Sequence, residues 1–176
     1  MKKALVFGGA GFLGSFVVKE LCDNNFQVVI VGRNKASTDD LKVCGFPGQV
    51  VFQKYNINAH NLMFDFDFKK YDCVINLIGI AEQKSGNIYN YIHSDFPSKL
   101  SSMAKKAGTK LIHISAFAPF KSKNKYVVTK RTGEKYVLEN NPDAVVLKPC
   151  LMLGAGGAFI SDFEKMIKYL PIVPLI

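Results

Sequence analysis

The fold of this chain is decided by the stretch Ala4-Leu5-Val6-Phe7-Gly8-Gly9-Ala10-Gly11-Phe12-Leu13-Gly14 and by the two segments after it. The first four residues form a short apolar run, which predicts a buried strand, and the glycines predict a tight turn. A helical pattern extends from Phe12 to about Asn24, and the next apolar run is Val28-Val29-Ile30-Val31. Strand, turn, helix and strand in this order predict a β-α-β unit.

Three glycines lie where the first strand meets the first helix, at Gly8, Gly11 and Gly14. In this position the first permits a tight turn, the second lets backbone approach a pyrophosphate, and the third lets the helix pack closely on its strand. The start of the helix also offers free N–H groups and the positive end of its dipole. A glycine-rich turn without a ligand is the alternative, but the flanking strands favour a dinucleotide site.

The rest of the chain continues the alternation of strands and helices. Further strands are predicted at 50–55, 73–78, 110–115 and 144–148, and further helices at 39–44, 87–108, 123–140 and 158–170. Within 87–108, Ser94 or Asp95 is the expected N-cap of the helix. Phe64, Phe66 and Phe68 alternate as in a strand, although packing of a helix or loop onto the sheet is the favoured interpretation. The alternation predicts an α/β fold, a Rossmann-type doubly wound parallel sheet with helices on both faces, as a single domain over residues 1–176.

The residues that follow the predicted strands define the expected ligand site, because ligands bind beyond the carboxyl ends of parallel strands. Arg33 and Asn34 follow the second strand, where a site for NAD usually has a carboxylate for the ribose hydroxyl. A guanidinium binds a 2′-phosphate bidentately, so NADP(H) is favoured and NAD(H) remains possible. Asn56 follows the third strand and Gly79 the fourth, as candidate contacts to the adenine and to the cofactor backbone.

A candidate catalytic set consists of Ser115, Tyr126 and Lys130. Tyr126 and Lys130 are four residues apart and therefore share one face of a helix. A nearby ammonium is expected to lower the pKa of the phenol, which then serves as acid or base in hydride chemistry. Ser115 ends the fifth strand, where its hydroxyl could donate to a substrate carbonyl. His113 is interpreted as a structural imidazole inside a strand, and nothing in the sequence pairs with His93.

The amino-acid composition limits the classes of protein to which the chain can belong. The 176 residues are 48% hydrophobic and 21% charged, as in a globular domain, and 23 basic minus 14 acidic residues give a net charge of +9. The lysines are scattered, which indicates a solvated basic surface that attracts a phosphorylated ligand rather than nucleic acid. The four cysteines are far apart without metal-ligand spacing, which favours a reducing cytoplasm, and no apolar run is long enough to span a membrane.

The chain resembles the atypical and extended short-chain dehydrogenases/reductases. The matching motifs are Gly8-x-x-Gly11-x-x-Gly14, Ser115 and Tyr126-x-x-x-Lys130. The stretches 74–79, 113–115, 146–149 and 170–176 narrow the resemblance to the NADPH-binding accessory subunit family of respiratory complex I and its bacterial relatives, often labelled NAD-dependent epimerase/dehydratase. The expected cofactor contacts are Gly8, Gly11, Phe12, Leu13, Gly14, Arg33, Asn34, Asn56, Ile57, Gly79, Tyr126, Lys130 and Pro149.

Two departures from this family pattern affect the expectations. The family has Asp where Asn56 stands, which weakens the inferred adenine contact. Family members also continue beyond a segment like 170–176 with a seventh strand and a substrate-binding region, so the C-terminal substrate region is expected to be missing and the apolar tail to need a partner.

The resemblance implies an NADP(H)-binding protein of the complex I accessory type with a structural cofactor. Its partner would be a respiratory complex, another protein, or a second copy joined through the tail. The expected location is the cytoplasm, with a peripheral position at the inner face of a membrane as an option. Two alternatives remain: an active NAD(P)-dependent oxidoreductase or epimerase/dehydratase that uses Ser115, Tyr126 and Lys130, and a regulator that senses NADP(H).

Overall fold

The computed structural model describes residues 1–34, 41–55, 66–80, 88–119, 121–154 and 156–169. Its strands are β1 Lys2–Phe7, β2 Phe26–Gly32, β3 Val50–Lys54, β4 Cys73–Asn76, β5 Lys110–Ile114 and β6 Val145–Leu147. They form one parallel sheet in the order β3-β2-β1-β4-β5-β6. Successive strands are added outward from β1 to β3 on one side of the sheet and from β4 to β6 on the other. Doubly wound sheets open a crevice for a ligand where this strand order reverses, here between β1 and β4. The predicted fold class is therefore confirmed.

Of the helices that the structure describes, four lie between strands in chain order, and the fifth follows β6. They are α1 Phe12–Asp23, α2 Ile88–Asn90, α3 Phe96–Ala107, α4 Lys125–Asn140 and α5 Ala158–Tyr169. A π-helical segment, Tyr91–Asp95, joins α2 to α3, and short 3₁₀ turns lie at Lys42–Cys44 and Phe68–Lys70. In the described parts of the chain, none of these helices combines the length and apolarity that crossing a bilayer requires.

The apolar run 4–7 in strand β1 is covered on both faces of the sheet. Leu5 and Phe7 belong to one core cluster, under α3 and α4, whereas Ala4 and Val6 belong to the other, under α1. All four side chains are fully buried. A central parallel strand covered on both faces has no polar face, which is why its sequence is continuously apolar rather than alternating.

Two of the three alternating phenylalanines pack as the preferred interpretation predicted. Phe66 and Phe68 are buried in the core cluster beside Phe7, and the rings of Phe7 and Phe66 meet edge to face with centroids 5.6 Å apart. Neither belongs to a strand, since Phe68 begins a 3₁₀ turn. Phe64 lies outside the described residues, as do the start of the predicted 39–44 helix and the tail 170–176.

Asp95 immediately precedes α3, at one of the two predicted N-cap positions, but neither Ser94 nor Asp95 caps the helix with its side chain. Helical backbone runs through both residues from α2 into α3, and Asp95 has φ −70° and ψ −44° with no capping bond from its side chain. Ser94 instead donates its hydroxyl to the carbonyl oxygen of Thr129 in α4 at 2.9 Å. The hydroxyl therefore joins two packed helices, and a tertiary contact of this kind cannot be seen in a local pattern.

Candidate functional site

A crevice of about 380 Å³ opens beyond the carboxyl ends of β1, β2 and β4. Its walls come from the glycine turn, from the end of β2 and from the segment 77–80 after β4. The lining residues are Gly8, Ala10, Gly11, Val31, Gly32, Arg33, Asn34, Tyr55, Leu77, Ile78, Gly79, Ile80 and Ile92. This is the position at which open α/β sheets bind their ligands.

The glycine turn has the local geometry that its residues predicted. Gly8 has φ +81°, a left-handed conformation that side-chain-bearing residues rarely adopt. A β-carbon on Gly14 would lie 2.3 Å from the carbonyl oxygen of Gly8, so only glycine lets α1 approach this closely. Gly11 is the N-cap of α1, whose first turn carries no acidic side chain. The positive end of the helix dipole is therefore not neutralised there and is available to an anion.

Basic and aromatic side chains mark the far end of the crevice. Arg33 and Asn34 follow β2, line the crevice and are exposed. Tyr55, directly after β3, lines the same end, and burial raises the pKa of its phenol. Tyr55 was not among the predicted site residues, although its position at the end of a predicted strand is a usable signal.

Two buried side chains hold the crevice wall formed by residues 77–80. Asn76 accepts a hydrogen bond from the backbone N–H of Ile78 at 3.1 Å, and its amide nitrogen lies 3.1 Å from Nδ1 of His113. Nε2 of His93 accepts from the backbone N–H of Ile80 at 3.3 Å. The wall is thus anchored at alternate residues, by one side chain from β4 and by another from the π-helical segment.

The two buried histidines are neutral at ordinary pH. Burial, and to a smaller extent the nearby Lys130 ammonium, lowers the pKa of His93 to about 4 and that of His113 to about 3. His113 is structural in the sense predicted, with Nδ1 beside Asn76, although its Nε2 finds no partner among the described residues. His93, which lacked any partner in the sequence, is bonded on both ring nitrogens. No sequence signal identified His93 as a wall contact, because its partners Ile80 and Thr129 lie 13 and 36 residues away. Asn76 bonds Ile78 only two residues on, but its other neighbour, His113, lies 37 residues away.

Lys130 is a buried amine directly behind the crevice wall. Its side chain is 5% exposed, and burial lowers its pKa to about 8. A β-carbon on Gly79 would lie 3.2 Å from the Nζ atom of Lys130, so the glycine leaves room for the amine. Lys130 is not among the lining residues, but its Nζ atom lies next to Gly79, which is.

The hydroxyl of Ser115 is paired with a carboxylate. Ser115 donates to Glu134 at 3.3 Å, and the other oxygen of Glu134 contacts the Lys148 ammonium at 2.5 Å. Glu134 lies one helical turn beyond Lys130 on α4. A serine hydroxyl has one proton, so in this arrangement that proton is directed at Glu134 and not at a ligand.

Tyr126 lies in the first turn of α4 and packs among aromatic rings. Its ring meets that of His93 edge to face, with centroids 5.2 Å apart, and that of Tyr89 at 6.2 Å. The expected lowering of its pKa by Lys130 is wrong: burial raises the pKa of Tyr126, and so does Tyr89. The physical reason is that desolvation of the phenolate outweighs any attraction from the lysine, whose ammonium bonds to backbone instead.

The predicted site residues divide into four groups. Gly8, Gly11, Arg33, Asn34 and Gly79 line the crevice. Gly14 and Lys130 lie directly behind it, and Ser115, Tyr126, Phe12, Leu13 and Pro149 do not line it. Asn56 and Ile57 lie outside the described residues. The role of each as a contact to cofactor or substrate stays a prediction.

Fold and crevice together define a class of protein, the NAD(P)-binding Rossmann domains. The model of the NAD dependent epimerase/dehydratase family matches residues 4–170. The chain belongs to this family of short-chain dehydrogenase/reductase-like proteins.

Curated relatives extend the comparison. The chain is 31% identical over 98% of its length to the mitochondrial protein "NADH dehydrogenase (ubiquinone) 1 alpha subcomplex subunit 9" of Rattus norvegicus, and it covers 46% of that protein. It is 29% identical, again over 98% of its length, to the protein of the same name from Arabidopsis thaliana, of which it covers 44%. The chain therefore spans less than half the length of these two relatives.

Solved structures share the fold. A putative NAD-dependent epimerase/dehydratase from Bacillus halodurans superposes with a TM-score of 0.68 at 21% identity, over 90% of this chain and 74% of that one. The Bordetella bronchiseptica enzyme WbmG, solved in complex with NAD, superposes with a TM-score of 0.70 at 18% identity, over 94% of this chain and 59% of that one.

Proposed function

We propose that this chain binds NADP(H) as a structural cofactor and works as an accessory component of a respiratory assembly of the complex I type. The single observation that carries the proposal is the crevice, with the glycine turn at one end of its lining and Arg33 at the other. It would hold the pyrophosphate at the start of α1 and a 2′-phosphate at Arg33. Arg33 stands where a carboxylate would select NAD(H) instead.

The structural role of the cofactor is supported by the Ser115–Glu134 bond. A hydroxyl whose proton is committed to a carboxylate is a poor donor to a substrate carbonyl. The raised pKa of Tyr126 points the same way, since a phenol that resists ionisation is a poor general base near neutral pH. Both observations favour a structural cofactor over proton transfer by Ser115 and Tyr126.

A protein partner is supported by the names of the mitochondrial relatives and by the edge of the sheet. Among the described residues, β6 is the last strand of the sheet, and Val145 and Leu147 on it are 50% and 49% exposed. Leu151 and Leu153, a few residues later in the chain, are 61% and 63% exposed. Exposed apolar side chains on and just after an edge strand are typical of surfaces that another protein covers. Such a partner would place the chain peripherally at the inner face of a membrane.

Native mass spectrometry of the freshly purified protein tests both parts of the proposal together. We expect a mass increment equal to one NADP(H), together with assembly partners in preparations made under mild conditions. Bound NADP(H) that persists without consumption during incubation would agree with a structural cofactor. A monomer that carries no dinucleotide and has no partner contradicts the proposal.

The second candidate function is an active NAD(P)-dependent oxidoreductase, and the shared helical face of Tyr126 and Lys130 favours it. A panel of carbonyl compounds and sugar nucleotides, followed at the nicotinamide absorbance band, would test it. Turnover that disappears in Tyr126→Phe would support this candidate against a structural cofactor. Absence of turnover over the whole panel would support the structural role.

A further inference from the structure

His93 occupies an unusual position between the crevice wall and the helix that carries Tyr126 and Lys130. It is fully buried, and it belongs to the π-helical segment between α2 and α3. Single π turns inside helices occur often at functional sites, because they redirect side chains that a regular helix would point elsewhere. Here the segment directs an imidazole between Ile80 and Thr129.

The hydrogen bonds around His93 fix its tautomer. The hydroxyl of Thr129 donates its only proton to a carbonyl of its own helix, that of Lys125 at 2.9 Å or that of Tyr126 at 3.0 Å. It can therefore only accept from Nδ1 of His93, which lies 3.0 Å away and must carry the proton. Nε2 is then a lone-pair acceptor, as its contact with the N–H of Ile80 requires.

The surroundings of His93 hold the ring in place. Tyr89 stacks on the ring with centroids 5.1 Å apart, and Tyr126 meets it edge to face at 5.2 Å. Gly133 of α4 lies so close that a β-carbon there would be 1.7 Å from the carbonyl oxygen of His93. The π-helical segment is therefore packed directly on α4, and the imidazole has no room to turn away from its two partners.

We propose that His93 is a positioning residue for dinucleotide binding: as a neutral Nδ1–H imidazole it fixes the Gly79–Ile80 wall of the crevice to α4. The inference rests on the proposed NADP(H) function and deepens it by naming the side chain that sets the distance between the wall and α4. Without the Nε2 acceptor, the N–H of Ile80 loses its partner and the wall is free to shift.

Two substitutions separate the two hydrogen bonds of His93. In His93→Gln, the side-chain oxygen reaches the position of Nε2 and still accepts from Ile80. In His93→Asn, the amide reaches the position of Nδ1 and still bonds Thr129 but leaves Ile80 unpaired. Both variants lose the ring contacts with Tyr89 and Tyr126, so a purely structural role predicts similar effects on binding from both.

Ser101→Ala is a matched control, because it removes a buried bond between α3 and α4 that lies away from the crevice. The Ser101 hydroxyl donates to the carbonyl oxygen of Val137 at 2.6 Å. We expect this control to lower the melting temperature of the ligand-free protein and to leave the Kd for NADPH unchanged within about twofold.

The experiment measures the Kd for NADPH from its own fluorescence, together with the melting temperature of each ligand-free variant. We expect His93→Asn to bind at least about tenfold more weakly than His93→Gln, as the loss of one buried hydrogen bond implies. Equal affinities in the two variants would overturn the inference. If the unaltered chain fails to bind NADPH, the proposed function fails first, and the positioning role fails with it.

A second measurement does not depend on how the variants fold. Long-range ¹H–¹⁵N correlation spectra of the unaltered protein report which ring nitrogen of His93 carries the proton. The inference requires the Nδ1–H tautomer and a hydrogen-bonded Nε2. A spectrum of the Nε2–H tautomer would overturn it even where NADPH binds tightly.

Discussion

The Nζ atom of Lys130 lies 3.1 Å from the carbonyl oxygen of Ile114, to which it donates a hydrogen bond. This bond ties the amine of α4 to the end of β5, directly behind Gly79. One backbone acceptor does not compensate for removing an ammonium from water, and burial accordingly lowers the pKa of Lys130 to about 8. The ligand-free fold therefore carries an unfavourable charge next to its crevice.

Replacement of Lys130 by methionine is expected to stabilise the ligand-free protein and to weaken dinucleotide binding. The folded pKa lies below the unfolded value of 10.5, so the cost of the charge is fully present below pH 8 and disappears as the pH rises to 10.5. At pH 7 we expect the free energy of unfolding to rise by about 1–2 kcal/mol, after loss of the bond to Ile114. Urea denaturation measures this change, and titration with NADPH should show affinity reduced about tenfold.

Lys135→Met is the control for that substitution, since Lys135 lies on the same helix in an exposed pair with Glu139. Its effect on stability should stay within about 0.5 kcal/mol. A Lys130→Met protein that is less stable than the unaltered chain would show that the amine contributes more to the fold than its desolvation costs.

Replacement of Arg33 by alanine should remove the preference for NADPH. Because the guanidinium is expected to pair with the 2′-phosphate, the ratio of NADH to NADPH dissociation constants should fall by at least about tenfold. Calorimetric titration with both cofactors gives this ratio. Lys106→Ala removes one positive charge from an exposed position on α3, and it should leave the ratio unchanged. An unchanged ratio in Arg33→Ala would mean that Arg33 does not bind the 2′-phosphate of NADPH.

The two buried histidines predict a loss of stability in mild acid. Their folded pKa values, about 4 for His93 and about 3 for His113, lie below the unfolded value of 6.5, so the unfolded chain takes up more protons. The free energy of unfolding should therefore fall as the pH drops below 6.5, by about 2 kcal/mol per histidine at pH 5. Urea denaturation between pH 7.5 and pH 5 measures the slope. His93→Gln should remove about half of this pH dependence. An unchanged pH dependence in that variant would contradict the conclusion that His93 is buried as a neutral imidazole.

Substitution of Gly14 by alanine should disrupt the glycine turn. The added β-carbon would meet the carbonyl oxygen of Gly8 at 2.3 Å and the carbonyl carbon of Gly9 at 2.6 Å, and neither atom can rotate away. We expect a loss of about 3 kcal/mol or more in stability, together with loss of NADPH binding. Gly32→Ala is the stability control, because among the described residues its β-carbon meets only the ring of Phe52, at 3.4 Å. Equal stability of the two variants would contradict the close approach of α1 to the turn.

The parts of the structure that depend on local pattern were predictable. The run 4–7 is apolar because β1 is covered on both faces, and the regular alternation of strands and helices specified a parallel sheet. The position of Arg33 in the crevice followed from the rule that strand ends meet at one edge. The last four strands were predicted one or two residues too long, as at β4, which ends at Asn76. The first two were predicted too short, since β1 is Lys2–Phe7 and β2 is Phe26–Gly32.

The parts that depend on tertiary contacts were not predictable. Helical spacing placed Tyr126 and Lys130 on one face, but only the packed structure shows that burial raises the pKa of Tyr126. The partner of Ser115 is Glu134, 19 residues away, and nothing in the local sequence of either residue indicates the other. His93 gave no signal because its role arises where three separate segments meet.

The glycine turn and Arg33 are proposed to form one site for NADP(H). Calorimetric titration of the unaltered, ligand-free protein with NADPH and, separately, with NADH measures whether they do. We expect one site for NADPH and an affinity at least about tenfold higher than for NADH. No detectable heat with either cofactor, or equal affinity for both, would contradict it.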